Sequence, residues 1–143
     1  MTVVAFRDGL LAADRLVCSD NPEGEVQGER TKIGRHGAAR WALVGEMAGA
    51  QEIRDWLVGG QKGKQPCCEA GGSVIWLEPE NPPRIYSSGR SWVAAEAPFY
   101  AWGIGTPYAL GAMTHGAGAR EACAAAVACH VGCGGGIDCL EPA

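Results

Sequence analysis

The stretch Thr2-Val-Val-Ala-Phe-Arg-Asp-Gly-Leu-Leu-Ala-Ala-Asp14 decides how the chain is read. Two apolar runs flank Arg7-Asp8-Gly9, so the segment folds back on itself as a β-hairpin whose turn holds a glycine suited to left-handed backbone. Two registers are open. A three-residue loop ending at Gly9 pairs Phe6 with Leu10 and Thr2 with Asp14, which sets the Thr2 hydroxyl and the Asp14 carboxylate on one face, about 5 Å apart at Cβ. A two-residue Asp8-Gly9 turn instead sets Thr2 opposite Arg15 and Asp14 opposite Val3, on the other face, because a one-residue slip reverses every side chain. The position of Gly9 favours the first register. Met1 is expected to be removed, since the small Thr2 side chain permits it, and a free N-terminal threonine facing an aspartate is the start of a nucleophilic site. The plainer reading of the same residues is an edge hairpin with a frayed Thr2.

Bulk properties limit the function classes. At 143 residues the chain fits one domain, 1–143, with a single core. Hydrophobic residues make up 47% and charged ones 20%, the balance of a folded globular protein. With a formal net charge of -4 and no basic stripe interleaved with aromatics, a nucleic-acid partner is not expected. Arg7, Asp8 and Asp14 interrupt the first apolar run, so it is not read as a signal peptide, and no stretch is long enough to span a bilayer. The expectation is a cytoplasmic protein. Its seven cysteines are an odd number, and Cys18, Cys123 and Cys139 lie in apolar surroundings, where reduced cysteine behaves as a small hydrophobe.

Asp20-Asn-Pro-Glu-Gly-Glu25 reads as a loop leaving the hairpin, and Arg30 to Ile33 as a strand returning toward it. Trp41 to Gly45 is a short buried strand. From Met47 to Val58, Met47, Ala50, Ile53, Trp56 and Leu57 recur at helical spacing, and Gly59-Gly60 ends the element. Gln61 to Gly72 is a polar loop. Ser73 to Glu78, Pro83 to Tyr86, Ser91 to Ala94 and Pro98 to Trp102 read as strands of a second antiparallel sheet. Helices near Thr106 to Thr114 and Ala119 to Cys129 and a last strand, Ile137 to Leu140, complete an α+β chain of stacked sheets with helices outside.

These segments resemble, in order, the proteasome β-subunit family and its bacterial relative, the heat-shock-locus V peptidase. The hairpin is similar to the family's opening strands, Thr31-Lys32-Ile33 to the segment of its lysine, and Val44-Gly-Glu-Met-Ala-Gly49-Ala to the glycine-rich entry to its first helix. Gly103-Ile-Gly-Thr-Pro-Tyr-Ala-Leu-Gly111 and Gly134-Gly-Gly-Ile-Asp138 complete the set. The resemblance implies an N-terminal nucleophile hydrolase fold, a four-layer αββα sandwich of two antiparallel sheets. Only one helix fits before Gln61, where the family has two, so the helical layer is reduced. It also implies a threonine endopeptidase without cofactor or metal, acting on peptides or unfolded polypeptide as a homo-oligomer, with an ATPase partner by analogy only.

The implied chemistry names its residues. Thr2 is the nucleophile and its own α-amine the base. Lys32 supplies an ammonium beside them, Asp14 holds Lys32, and the Gly49 amide stabilises the oxyanion. Met47 and Arg30 fall where the resemblance places substrate-pocket walls. Taken alone, Lys32 on a strand is a solvated cation and Gly49 a packing glycine. The chain departs from the family where Ile104 replaces a serine between two glycines, and where His130-Val-Gly-Cys133 replaces an Asp-x-x-Ser or Asp-x-x-Thr. Thr106 and His130 are the candidates to orient the terminal amine in place of the lost groups. Two other readings stand beside the peptidase. One is a catalytically inactive subunit kept for assembly; the other is a small zinc module on Cys129, His130, Cys133 and Cys139, whose spacing fits paired ligands only loosely.

Overall fold

Asp8 and Gly9 take φ of 50° and 80°, the left-handed pair of a type I′ turn. They join β1 (Val3–Arg7) to β2 (Leu10–Asp14) with Arg7 opposite Leu10, Phe6 opposite Leu11, Ala5 opposite Ala12 and Val4 opposite Ala13. This is the two-residue turn, and it overturns the favoured three-residue register: Asp14 lies level with Val3, not with Thr2. The reason is that a type I′ turn carries the twist of the strands it connects, and aspartate is among the few residues with a side chain that tolerate its first position.

The computed structural model describes residues 2–21 and 24–142. After the hairpin come β3 (Leu16–Asn21), β4 (Gly24–Glu29), β5 (Ile33–His36) and β6 (Ala39–Val44), then α1 (Met47–Val58). The chain continues through β7 (Ser73–Leu77), β8 (Arg84–Ser87), β9 (Arg90–Val93), β10 (Phe99–Gly103), α2 (Thr106–Thr114), α3 (Ala119–Cys129) and β11 (Ile137–Leu140). Among the described residues this is an α+β chain with three sheets, ordered β10-β1-β2-β11, β3-β4 and β5-β6-β7-β8-β9, where two were expected. The additional sheet arises where a loop was read: Asp20, Asn21, Gly24 and Glu25 belong to strands, with Asp20 opposite Glu25. Pro22 and Glu23, like Met1, lie outside the described residues. As expected, α1 is the helix between β6 and β7.

Contacts group the chain into two compact units, residues 2–33 with 98–142, and residues 34–97. In the first, β1 is central, with β2 on one side and β10 on the other. The assignment of Pro98 to Trp102 to the second sheet is thus corrected. Cross-strand side chains select the pairing with β1: Phe6 stacks on Tyr100, which stacks on Trp102, and the Arg7 guanidinium lies 5.0 Å from the centre of the Phe99 ring. On the face opposite Phe6, which is also the face of Arg7 and Phe99, Ala5, Ala12 and Val3 form a core with Ala109 and Met113 of α2 and Ala122, Cys123 and Ala126 of α3. These alanines keep the facing surfaces small, so helix and sheet backbones approach closely.

In the second unit, Ala50, Ile53 and Leu57 of α1 cover Leu43 and Val74 of the five-stranded sheet. The helix ends at Gly59, whose N–H bonds back to the Asp55 carbonyl, while the Gly60 N–H bonds to that of Leu57.

Burial in the first core pushes the Cys123 thiol up to about 12, with the Asp14 charge adding to the effect. It therefore stays protonated near pH 8, whereas Cys67 and Cys129 are exposed. Iodoacetamide at that pH is expected to modify Cys67 and Cys129 well before Cys123. Peptide mass spectrometry over a time course checks this, and early labelling of Cys123 would contradict the packing of α3.

Candidate active site

Asp14 ends β2 fully buried, and burying a carboxylate is costly unless it is paired and hydrogen-bonded. Here it is both. Its Oδ1 accepts from the Val3 N–H at 3.1 Å and from Lys32 Nζ at 2.8 Å. Its Oδ2 accepts from the Gly134 N–H at 3.1 Å. Lys32 is equally buried. It lies in the connection between β4 and β5 rather than on a strand, which removes the reading of a solvated strand lysine. The two-residue turn makes this arrangement: with Asp14 level with Val3, its carboxylate reaches the backbone of the residue after Thr2 and the lysine together.

Thr2 is 1% exposed, and its Oγ1 is buried without a hydrogen-bond partner among the described residues. Its carbonyl accepts from the Gly105 N–H at 3.2 Å. The Gly-Ile-Gly segment is shaped around it. Gly103, at φ 95°, faces Val3 across the ladder, and a Cβ there would strike the Thr2 carbonyl oxygen and stand 2.8 Å from its carbon. A Cβ on Gly105 would come within 2.7 Å of the Val3 Cβ and 2.9 Å of the Ala126 Cβ. Ile104 between them is 44% exposed, so it does not fill an apolar gap.

The remaining candidates divide. The Thr106 hydroxyl, at the start of α2, donates to the Gly103 carbonyl at 2.6 Å. His130 is the C-cap of α3, its Nδ1 accepting from the Gly132 N–H at 2.9 Å. Arg30 is exposed, and its backbone N–H bonds to the Arg15 carbonyl. In the other unit, Met47 begins α1, partly buried against the core of that helix. Gly49 is buried in its first turn, and its N–H is taken by the Glu46 carboxylate at 2.6 Å. Among the described residues no three His, Cys, Asp or Glu side chains are grouped to hold a metal ion.

Sequence reasoning missed a second set of ties around the site. The Arg15 guanidinium bonds Thr31 Oγ1 at 3.0 Å and Asp138 Oδ2 at 2.7 Å, while the Gly134 carbonyl accepts from the Arg15 and Leu16 amides. The Gly-Gly-Gly-Ile-Asp motif thus fastens the chain at Asp14, Arg15 and Leu16. Cys133, just before it, is buried and its thiol is pushed up, first by burial and then by the Asp14 charge, with Lys32 opposing. The arginine after Asp14 and the aspartate of the motif are the signal that pointed to this pair.

No protein-family model matches the sequence, and no curated protein matches it. Solved structures do match, over nearly the full length. The chain is 19% identical to Thiobacillus denitrificans BPH, with a TM-score of 0.63 over 99% of this chain and 98% of that one. A structure of BPH in complex with epoxomicin matches at 18% identity, TM-score 0.59, with the same coverage. Eukaryotic HslV from Trypanosoma brucei matches at 16% identity, TM-score 0.67, over 98% of both chains. The chain therefore has the fold of the proteasome-like N-terminal nucleophile hydrolases.

Removing one partner of a buried ion pair leaves the other charge uncompensated, at a cost of about 3–5 kcal/mol. Lys32→Ala is expected to lose stability on that scale, as is Asp14→Ala, and the double variant should fall well short of the sum. Urea titration of all three checks the coupling; additive losses would show that the two side chains act independently.

Proposed function

We propose that the chain is a threonine endopeptidase of the proteasome-like N-terminal nucleophile class. The observation that carries this reading is the Thr2 hydroxyl. Among the described residues it is buried without a partner, at the head of a strand whose next amide is held by the Asp14–Lys32 pair. A buried polar atom left unpaired costs about 1–3 kcal/mol, and such a cost is retained where the atom has chemical work to do.

In the proposed reaction, removal of Met1 frees the Thr2 amine. The amine takes the hydroxyl proton as Oγ attacks a peptide carbonyl, and then returns it to the leaving amine of the cleaved bond. Its reference pKa of about 7.7–8.0 leaves an appreciable neutral fraction near neutral pH. The Lys32 ammonium stabilises the developing alkoxide, with Asp14 fixing its position. The Gly49 N–H stabilises the tetrahedral oxyanion, an effect worth about 3–4 kcal/mol. Water then hydrolyses the acyl-threonine ester. Met47 and Arg30 serve as pocket walls for the peptide, and Thr106 or His130 orients the amine.

The same proposal takes residues 1–143 as one domain with a four-layer αββα arrangement and a reduced helical layer. It takes the protein as a cytoplasmic homo-oligomer acting on peptides or unfolded polypeptide, with an ATPase partner by analogy. No helix among the described residues is long and apolar enough to cross a membrane. The competing reading, an inactive assembly subunit, draws on the isoleucine at 104 and on the Glu46 contact to the Gly49 amide.

Epoxomicin, the ligand in one of the matching BPH structures, separates the two readings. The protein should gain one covalent inhibitor at Thr2, Met1 should be absent from the reactive species, and Thr2→Ala should gain none. An unlabelled, folded parent would favour the inactive subunit. A hydroxyl restored at position 104 recovers a hydrogen bond worth about 0.5–1.5 kcal/mol, so Ile104→Ser should raise the labelling rate by up to about tenfold. Because Ile104 is 44% exposed, the melting temperature should hardly change. Unchanged labelling in that variant would leave Thr106 or His130 as the orienting group.

A further inference from the structure

The connection that carries Lys32 is fastened from a single residue. Arg15, next to Asp14, meets Glu29, Arg30 and Thr31, the three residues before the lysine. Its carbonyl accepts from the Arg30 N–H at 2.8 Å. Its guanidinium lies 3.7 Å from the Glu29 carboxylate at Nε, and Nη1 donates to Thr31 Oγ1 at 3.0 Å and to Asp138 Oδ2 at 2.7 Å. Asp14 with Lys32 and Arg15 with Thr31 are therefore two consecutive rungs between the same two stretches of chain. The first is fully buried and the second is open to water.

Arg30, Thr31 and Lys32 belong to no strand, so ladder bonds do not set their place. Asp138 does lie on a strand, opposite Ala13 of β2. The arginine thus joins an irregular connection to a fixed sheet. The glycine run leaves room for it: a Cβ on Gly136 would stand 3.5 Å from Arg15 Cδ, and one on Gly135 would stand 3.1 Å from both Glu29 Cγ and the Leu16 nitrogen. A guanidinium can serve a hydroxyl and a carboxylate together because its donors are spread in a rigid fork, which an ammonium lacks.

We propose that Arg15 is a positioning residue for Lys32: by tying Thr31 to the strand of Asp138, it fixes the backbone from which the lysine enters the threonine site. The inference rests on the threonine peptidase reading and adds the residue that sets the geometry of its ammonium. An ammonium held beside the terminal amine disfavours a second positive charge there, so the amine is neutral, and able to act as base, at lower pH. Releasing Thr31 loosens the connection and weakens that effect, and the reactive form then appears at higher pH.

The test follows epoxomicin labelling of Thr2 by intact mass, across a pH range spanning neutrality, in the parent, Thr31→Val, Arg15→Lys and the double variant. Thr31→Val removes the hydroxyl acceptor and changes no charge: Asp14, Arg15, Glu29, Cys133 and Asp138, the charged and titratable groups set around the two rungs, all remain. Its labelling near neutral pH should be about three- to tenfold slower than the parent's, as loss of a charge-assisted bond allows. Its rate–pH curve should move to higher pH, and its melting temperature should stay close to the parent's because Thr31 is exposed. Arg15→Lys keeps the charge without the fork, so it should show the same shift, and the double variant should be no slower than either single one. Arg15→Lys decides the case if Thr31→Val does not fold. Rates within about twofold of the parent and an unmoved curve, with Thr2 labelled, would overturn the positioning role and leave the peptidase reading intact. Slower labelling with the curve in its original place would make Arg15 a support for the fold alone, which also overturns it, as would losses that add in the double variant. A folded parent that takes no label would sink the threonine reading and this inference together.

Discussion

The Asp14 carboxylate is the constraint on which the first unit depends. Inside the protein it needs several donors, and it takes them from separate stretches of chain: the Val3 amide, the Lys32 ammonium and the Gly134 amide. Each fixes something different. The Val3 bond sets the height of the first strand against the second, the lysine bond draws the connection after β4 inward, and the glycine bond seats the segment leading to β11. Arg15 repeats the pattern one residue later, on the less buried side, through Thr31 and Asp138. An isolated surface ion pair contributes little to stability, but a fully buried one makes each partner indispensable to the other.

Glycine plays the complementary part. Around Thr2, the fold needs places where one backbone lies against another, and side chains at 103 or 105 would occupy that space. This explains why Gly103 and Gly105 flank a residue that points partly to solvent. The residue between them is free to vary in bulk without disturbing the strand, whereas its neighbours are not. The same economy appears where alanines of α3 meet alanines of β1 and β2.

Much of this was legible in the sequence. The α1 boundaries follow from apolar spacing between Met47 and Leu57 and from the glycines behind it, because helical periodicity over three turns is a strong local signal. Thr2, Asp14 and Lys32 were singled out through the order of motifs, not through any local property of the lysine, whose ion-pair partner lies 18 positions away. The hairpin register was misread because Asp8-Gly9 satisfies two loop lengths, and the decision lies in the φ angles of both residues. β10 was assigned to the wrong sheet because its short apolar run resembles its predecessors, while its partner is chosen by the Phe6, Tyr100 and Trp102 stack across the ladder. The strand pair β3-β4 hid behind turn-forming residues near Pro22. The Glu46 contact was invisible, since glutamate is not a residue expected to cap a helix.

The Gly134 bond to Asp14 has a consequence for how the protein comes into being. The two residues stand 120 positions apart, and β1 is paired on its outer side by β10, which is also made late. A nascent chain emerging from the ribosome therefore carries its threonine long before the donors that fix Asp14 exist. Until β10 arrives the central strand lacks a neighbour, and until the glycine run arrives the aspartate lacks one of its amides. The topology thus delays assembly of the threonine environment until the segment at Gly134 has been made, so a chain broken off before it would present the hydroxyl without the frame that holds it.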